Sequence, residues 1–182
     1  MSFETRSVAM DAPTGDKLVG TAIPYGRWSE PIGGQFRERI ERGAFGDLAG
    51  ADIKLLYMHD PSEVLARTKS GTLRLRDSAG GLRFEADLAD TSRGRDVREL
   101  IRRGDLTGEM SFGFYVDRDE WNAKRTERTV KAARLVEVSV VVDAAYGDRT
   151  NSSLRDVSAA AHEAARLRLE LHKARMERWL TN

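Results

Sequence analysis

A serine, a histidine and a carboxylate, the residue types that together can break an acyl bond, stand at Ser111, His59 and Glu137 of a 182-residue sequence. A serine hydroxyl becomes a useful nucleophile only when a base within hydrogen-bond reach takes its proton, and neutral imidazole titrates near the working pH. An acid beside the imidazole fixes its tautomer and steadies the imidazolium formed during attack. Such a trio is common by composition, so its weight depends on where the chain places each member. The only other histidines, His162 and His172, lie in a C-terminal segment of different character. His59 is therefore the one imidazole of the region that holds Ser111 and Glu137.

Strand periodicity sorts the neighbours of these residues. In the run Glu109-Met110-Ser111-Phe112-Gly113-Phe114-Tyr115-Val116, a period of two puts Met110, Phe112, Phe114 and Val116 on one apolar face. Ser111, Gly113 and Tyr115 share the other. A glycine within a strand marks a close approach by another chain segment. An extended peptide laid on the sheet would make that approach, so Gly113 is predicted to line a substrate groove. In Val136 to Val142 the even-numbered valines face inward and Glu137 and Ser139 face outward, a position where an acid is most often solvated. His59 ends the apolar run Ile53-Lys54-Leu55-Leu56-Tyr57-Met58. Asp60 and Asp143 are rival acids, although Asp60, adjacent to His59 on a strand, would point to the opposite face.

The elements that must hold these residues are mostly strands. Lys17 to Tyr25 alternates and precedes a turn at Gly33-Gly34. Phe36 to Ile40 is a weaker strand, since Glu38 shares the face of Phe36 and Ile40. Gly43 to Leu48 reads as a short helix. Thr72 to Arg76 and Leu82 to Leu88 form a hairpin across Asp77-Ser78-Ala79-Gly80-Gly81. Ser92 to Arg103 is a helix, capped by Ser92, striped by Val97, Leu100 and Ile101, and ended by Gly104. Met110 to Val116 and Thr129 to Val142 are the last strands, separated by a polar excursion over Asp117 to Arg128. The fold expected for residues 1–150 is α+β, mainly antiparallel β, a β-barrel flanked by helices. From Ser153 the apolar residues Leu154, Val157, Ala161, Ala164, Leu167, Leu171 and Ala174 recur at three- and four-residue steps. This predicts a long amphipathic helix over 151–182 as a separate region.

Composition narrows the function. Lys+Arg 30 against Asp+Glu 29, a net charge of +1, gives no overall field for nucleic acid or an anionic membrane. The arginines of the C-terminal segment are diluted by Glu163, Glu170 and Glu177, so no nucleic-acid partner is expected. With Cys 0, disulfides, thiolate catalysis and cysteine metal sites are excluded. No apolar run is long enough to span a bilayer, and the N-terminal residues lack a signal-like stretch. A soluble, intracellular protein without a membrane partner is expected. No phosphate-binding glycine pattern occurs, and His59 has no partner at metal-ligand spacing. Neither a cofactor nor a metal is expected, and Trp28 and Trp121 read as packing or rim residues.

Four segments carry a resemblance. Gly43-Ala44-Phe45, Tyr57-Met58-His59-Asp60, Gly108-Glu109-Met110-Ser111-Phe112-Gly113-Phe114 and Leu135-Val136-Glu137-Val138-Ser139-Val140-Val141 resemble, in order and spacing, the phage prohead (capsid maturation) serine proteases. That family is related to the herpesvirus assembly protease, and the resemblance covers Lys17 to Thr150. It implies that His59 is the base and Ser111 the nucleophile, in a β-barrel ringed by helices. The third member would sit on the strand after the nucleophile, where Glu137 stands. The herpesvirus relative uses a second histidine there, and this region has none to offer. The oxyanion donors would come from the loop over Asp143 to Arg149, including Ala145, Tyr146 and Gly147, where the family often carries proline. The implied activity is a serine endopeptidase that cleaves the scaffold, or the scaffolding segment of the capsid protein, and also processes itself. It would work in the host cytoplasm inside an immature phage head, or, if prophage-encoded, in a bacterial cytoplasm, with a homodimer as the reasonable assembly. The helix over 151–182 would bind scaffold or a second copy, be removed by self-cleavage, or pack on the barrel. The rival reading is a catalytically silent scaffold-binding assembly protein, against which the intact Ser111 and His59 speak.

Overall fold

The computed structural model describes residues 3–9, 17–106 and 109–142, all within the compact unit Met1–Tyr146. The segment expected to be helical over 151–182 lies outside the described residues. Alternating apolar and polar residues make most of the described segments strands. They are β1 (Phe3–Ala9), β2 (Lys17–Pro24), β3 (Arg37–Ile40), β4 (Lys54–Tyr57), β5 (Asp60–Arg67), β6 (Leu73–Asp77), β7 (Gly81–Asp87), β8 (Glu109–Trp121) and β9 (Glu127–Val141). The helix α1 (Ser92–Arg103) is capped by Thr91, one residue earlier than expected, because Thr91 still has extended backbone and its hydroxyl accepts from the Gly94 N–H at 3.1 Å. Gly104 ends it in the left-handed conformation with φ 79°.

One sheet has the order β1-β8-β9-β4-β5, with β3 also joined to β9, and a second has the order β2-β7-β6. Strand β9 is the organiser. It pairs antiparallel with β8 along one edge, and along the other it pairs parallel with β3 at Glu127 to Val130 and with β4 at Glu137 to Val140. The sheets share one apolar core, in which Leu18, Ile23 and Phe84 of the second lie with Leu55, Phe112 and Val138 of the first. Among the described residues the strands do not close into the expected barrel, because the hydrogen-bonded order stops at β1 and at β5. Alternation requires only that one face of each strand be buried. A barrel and two packed sheets meet that condition equally.

Two other expectations are corrected. Residues 43–45 form a turn and 46–48 are irregular rather than a helix, since Gly43 and Gly46 sit at φ 82° and 59°, outside the helical region. Phe45 nevertheless packs edge-on against Phe112 and Phe114, with ring centroids 6.4 and 6.1 Å apart. The polar excursion over Asp117 to Arg128 is the far end of a single long hairpin, with Trp121 paired to Arg128. Strands β1 and β5 were not anticipated from the sequence.

That far end also explains Glu38, which broke the alternation of its strand. Its carboxylate is buried, accepting from Arg6 Nε at 2.8 Å and from Arg128 Nη1 at 3.0 Å. Arg128 further pairs with Glu4 at 2.8 Å and Asp119 at 2.7 Å, so the cluster ties β1, β3, β8 and β9 together. Burial raises the Glu38 pKa, and the Arg6 guanidinium opposes the rise. Removing one partner of a buried ion cluster leaves an uncompensated charge and costs about 3–5 kcal/mol. Arg128→Ala is therefore expected to lower the thermal midpoint strongly at neutral pH. The deficit shrinks on acidification, because Arg128 lowers the Glu38 pKa and its loss raises it further, and the carboxyl with the more raised folded pKa gains more stability as pH falls. Thermal unfolding across pH checks both parts.

Candidate active site

The register across β4, β9 and β8 sets out the site in rows. On the face away from the core, Lys54, Glu137 and Gly113 stand opposite one another, and in the next row stand Leu56, Ser139 and Ser111. Period two explains why these residues share a face. It does not explain their burial: Ser111 and Glu137 are each 1% exposed and Ser139 is 0% exposed. Four of the seven buried polar or charged residues among those described, Lys54, Ser111, Glu137 and Ser139, fall in these two rows. Phe3 of the neighbouring strand β1 shares this face; it is itself buried, packs edge-on against Tyr115 at 5.4 Å and lies beside Gly113.

His59 reaches this face from a turn. Tyr57 pairs with Asp60, so Met58 and His59 are the two central residues of a hairpin between β4 and β5. Both have positive φ, 53° and 58°, as a type I′ turn demands. Residues other than glycine are rare in that conformation and cost of order 1 kcal/mol or more each, so such positions are found where surrounding contacts enforce them. Here the Met58 N–H donates to the Val140 carbonyl at 2.9 Å, anchoring the turn to β9. The turn lies beyond the Leu56–Ser139–Ser111 row. The His59 ring must therefore extend over that row to make its contact with Glu137.

The contact is direct: His59 Nδ1 lies 2.8 Å from Glu137 Oε1. A carboxylate can only accept, so Nδ1 carries the proton, and in the neutral ring Nε2 becomes the acceptor. The second oxygen, Oε2, accepts from the Ser139 hydroxyl. Gly113 is what allows the carboxylate to lie there, since a Cβ at that position would stand 2.5 Å from Glu137 Oε1 and 2.3 Å from Phe3 Cζ. The space beside Gly113, expected to receive a substrate backbone, thus holds Glu137 and the Phe3 ring. A lysine also faces this row, and burial lowers the Lys54 pKa while Asp52 opposes that shift.

The structure thus brings His59 and Glu137 into contact and sets Ser111 in the adjoining row. The Ser111 hydroxyl makes no hydrogen bond to another described residue. Asp60, the nearer rival acid, accepts from the Ser62 N–H and hydroxyl at 2.9 and 2.6 Å. Asp143 and the expected oxyanion residues Ala145, Tyr146 and Gly147 lie outside the described residues. Ser139 and Phe3 were not singled out from the sequence. Ser139 was visible as the i+2 neighbour of Glu137 on one face, whereas nothing in the N-terminal residues announced that Phe3 would share it. Trp28 lies at the rim with Arg39 4.6 Å over its ring, and Trp121 packs edge-on against Phe36 at 4.9 Å. Among the described residues no group of three acidic or histidine side chains gathers to hold a metal ion, and no helix is long and apolar enough to cross a membrane.

A buried acid that holds one imidazole nitrogen, on a sheet face that also carries a buried serine, gathers on one surface the residue types a serine hydrolase needs. The comparisons name the class more closely. The chain belongs to the caudovirus prohead serine protease family, whose model matches residues 2–163. Among solved structures, the capsid assembly protease of bacteriophage T4 superposes with a TM-score of 0.59 at 10% sequence identity, covering 78% of this chain and 98% of that one. At that identity the likeness shows a shared fold. No curated protein matches the chain in sequence.

Proposed function

We propose that the chain is a serine endopeptidase of phage head maturation in which Ser111 is the nucleophile, His59 the general base and Glu137 the acid that orients it. The observation that carries this reading is the 2.8 Å contact between His59 Nδ1 and the buried Glu137 Oε1, on the face that carries Ser111. It fixes the tautomer whose Nε2 can take a proton. Ser111 Oγ attacks the scissile carbonyl and gives its proton to His59 Nε2. The imidazolium so formed is held by Glu137, then returns the proton to the leaving amine, and water releases the acyl group by the same route. The Ser111–His59 hydrogen bond forms as substrate binds, since such contacts are commonly long in the free enzyme. Because Ser111 is 1% exposed, the site rearranges before a peptide reaches it.

The substrate in this reading is the scaffold, or the scaffolding segment of the major capsid protein, inside the immature head. Family membership supports that assignment. The same chemistry would also trim the chain itself within 151–182. The test is to produce the protein together with the capsid and scaffold proteins of its own phage and weigh all the products by mass spectrometry. Discrete shortened capsid or scaffold species are expected. Full-length capsid and scaffold proteins, in cells where proheads assemble, would sink the reading.

A further inference from the structure

Glu137 has two carboxylate oxygens, and orienting His59 uses one of them. The other accepts from Ser139 Oγ, and both residues are fully enclosed. We propose that Ser139 is a positioning residue which, by pinning Glu137 Oε2, fixes the orientation of Oε1 toward His59 Nδ1. The inference rests on the reading of His59 as base and Glu137 as its orienting acid.

A glutamate carboxylate turns easily about its last torsion, whose energy profile is broad and roughly two-fold. One hydrogen bond leaves that freedom in place, whereas bonds at both oxygens remove it. Packing acts in the same sense, since the Phe3 ring and the Gly113 backbone close the remaining side. With Glu137 1% exposed, solvent has no ready path to replace a lost donor. An unsatisfied buried carboxylate oxygen turns toward another donor or takes up a proton, and either outcome weakens the bond to Nδ1. Ser139 also lies directly opposite Ser111 across the β8–β9 ladder, so the strand pair that presents the nucleophile also carries the clamp. Its own hydroxyl proton is committed to Oε2, which leaves it unsuited to attack.

The test compares wild type, Ser139→Ala, Ser139→Thr and Glu137→Gln on a peptide spanning a capsid-protein cleavage junction. It also compares the low-field proton resonance of His59 Nδ1–H. For Ser139→Ala, kcat is expected to fall roughly 10- to 100-fold, the scale on which losing an outer-shell partner weakens a metal-bound histidine site. KM should hold, because Ser139 touches no substrate, and the low-field resonance should shift or vanish. Ser139→Thr keeps the hydroxyl and should restore both readouts. If Glu137→Gln cleaves at the wild-type rate, the acid's role fails and this inference with it. If Glu137→Gln is slow while Ser139→Ala matches wild type in rate and resonance, the positioning role alone is overturned. Should the alanine variant not fold, Ser139→Cys nearly keeps the volume but donates only weakly; a reduced kcat with a shifted resonance is expected, and a shifted resonance at the wild-type rate overturns the proposal.

Discussion

Ser111→Ala is expected to lower kcat for capsid-protein cleavage by about a millionfold, the scale seen when the nucleophile of a serine hydrolase is removed. At the same time it should leave the fold more stable. The first half follows from the lack of a substitute. Ser139, the residue directly opposite Ser111 on β9, has its Cβ about 5 Å away, but its proton is held by Glu137 Oε2. The second half follows from burial. A hydroxyl that is 1% exposed and makes no hydrogen bond to a described residue carries an uncompensated desolvation cost of about 1–3 kcal/mol. Alanine removes that cost. Opposite signs for activity and stability are what a residue kept for chemistry should show, whereas a serine kept for packing would lose stability and leave the rate alone. Cleavage followed by mass spectrometry and thermal unfolding of the same two proteins measure both. Retained cleavage by the alanine protein would refute the assignment.

The sequence made parts of this site readable because period two is a local rule. It put Ser111 and Gly113 on one face of β8, and Glu137 and Ser139 on one face of β9, and the ladder brings those faces into register. The β6–β7 hairpin and α1 were legible for the same reason, since turn and cap residues bracket them. Properties set by distant segments stayed hidden. Glu137 reads locally as a solvated outer acid, whereas in the fold it is buried, with Phe3 and His59 brought beside it from elsewhere in the chain. The Met58-His59 turn was invisible because its type normally announces itself by asparagine or glycine, and here neither is present. Glu38 looked like a flaw in a strand until Arg6 and Arg128 were seen around it. The parallel pairing of β3 and β4 with β9 leaves no mark on alternation at all, which is why a closed barrel and two sheets could not be told apart.

Gly113→Ala is expected to abolish most activity through a single methyl group. The added Cβ would stand 2.5 Å from Glu137 Oε1 and 2.3 Å from Phe3 Cζ, far inside ordinary contact. Both neighbours are 1% exposed and have nowhere to go without disturbing other contacts. Phe3 lies on β1, the terminal strand of its sheet, so it can yield at a cost of about 1–3 kcal/mol, the usual scale of overpacking. Glu137 can yield only by giving up His59 Nδ1 or Ser139. Loss of control over the imidazole tautomer costs about four orders of magnitude in kcat, and a fall of that size is expected here. Adding Phe3→Ala separates the two clashes. Alone, Phe3→Ala should destabilise by about 3–5 kcal/mol as a buried aromatic truncation. In combination with Gly113→Ala the losses should be less than additive, because the cavity accommodates the new methyl. Activity should not return, since the Cβ still occupies the space of Glu137 Oε1. Denaturant unfolding of the four proteins of this cycle, together with their kcat values, decides the matter. A double variant that folds and cleaves at the wild-type rate would mean that the carboxylate had not been displaced and that Gly113 serves only to seat Phe3.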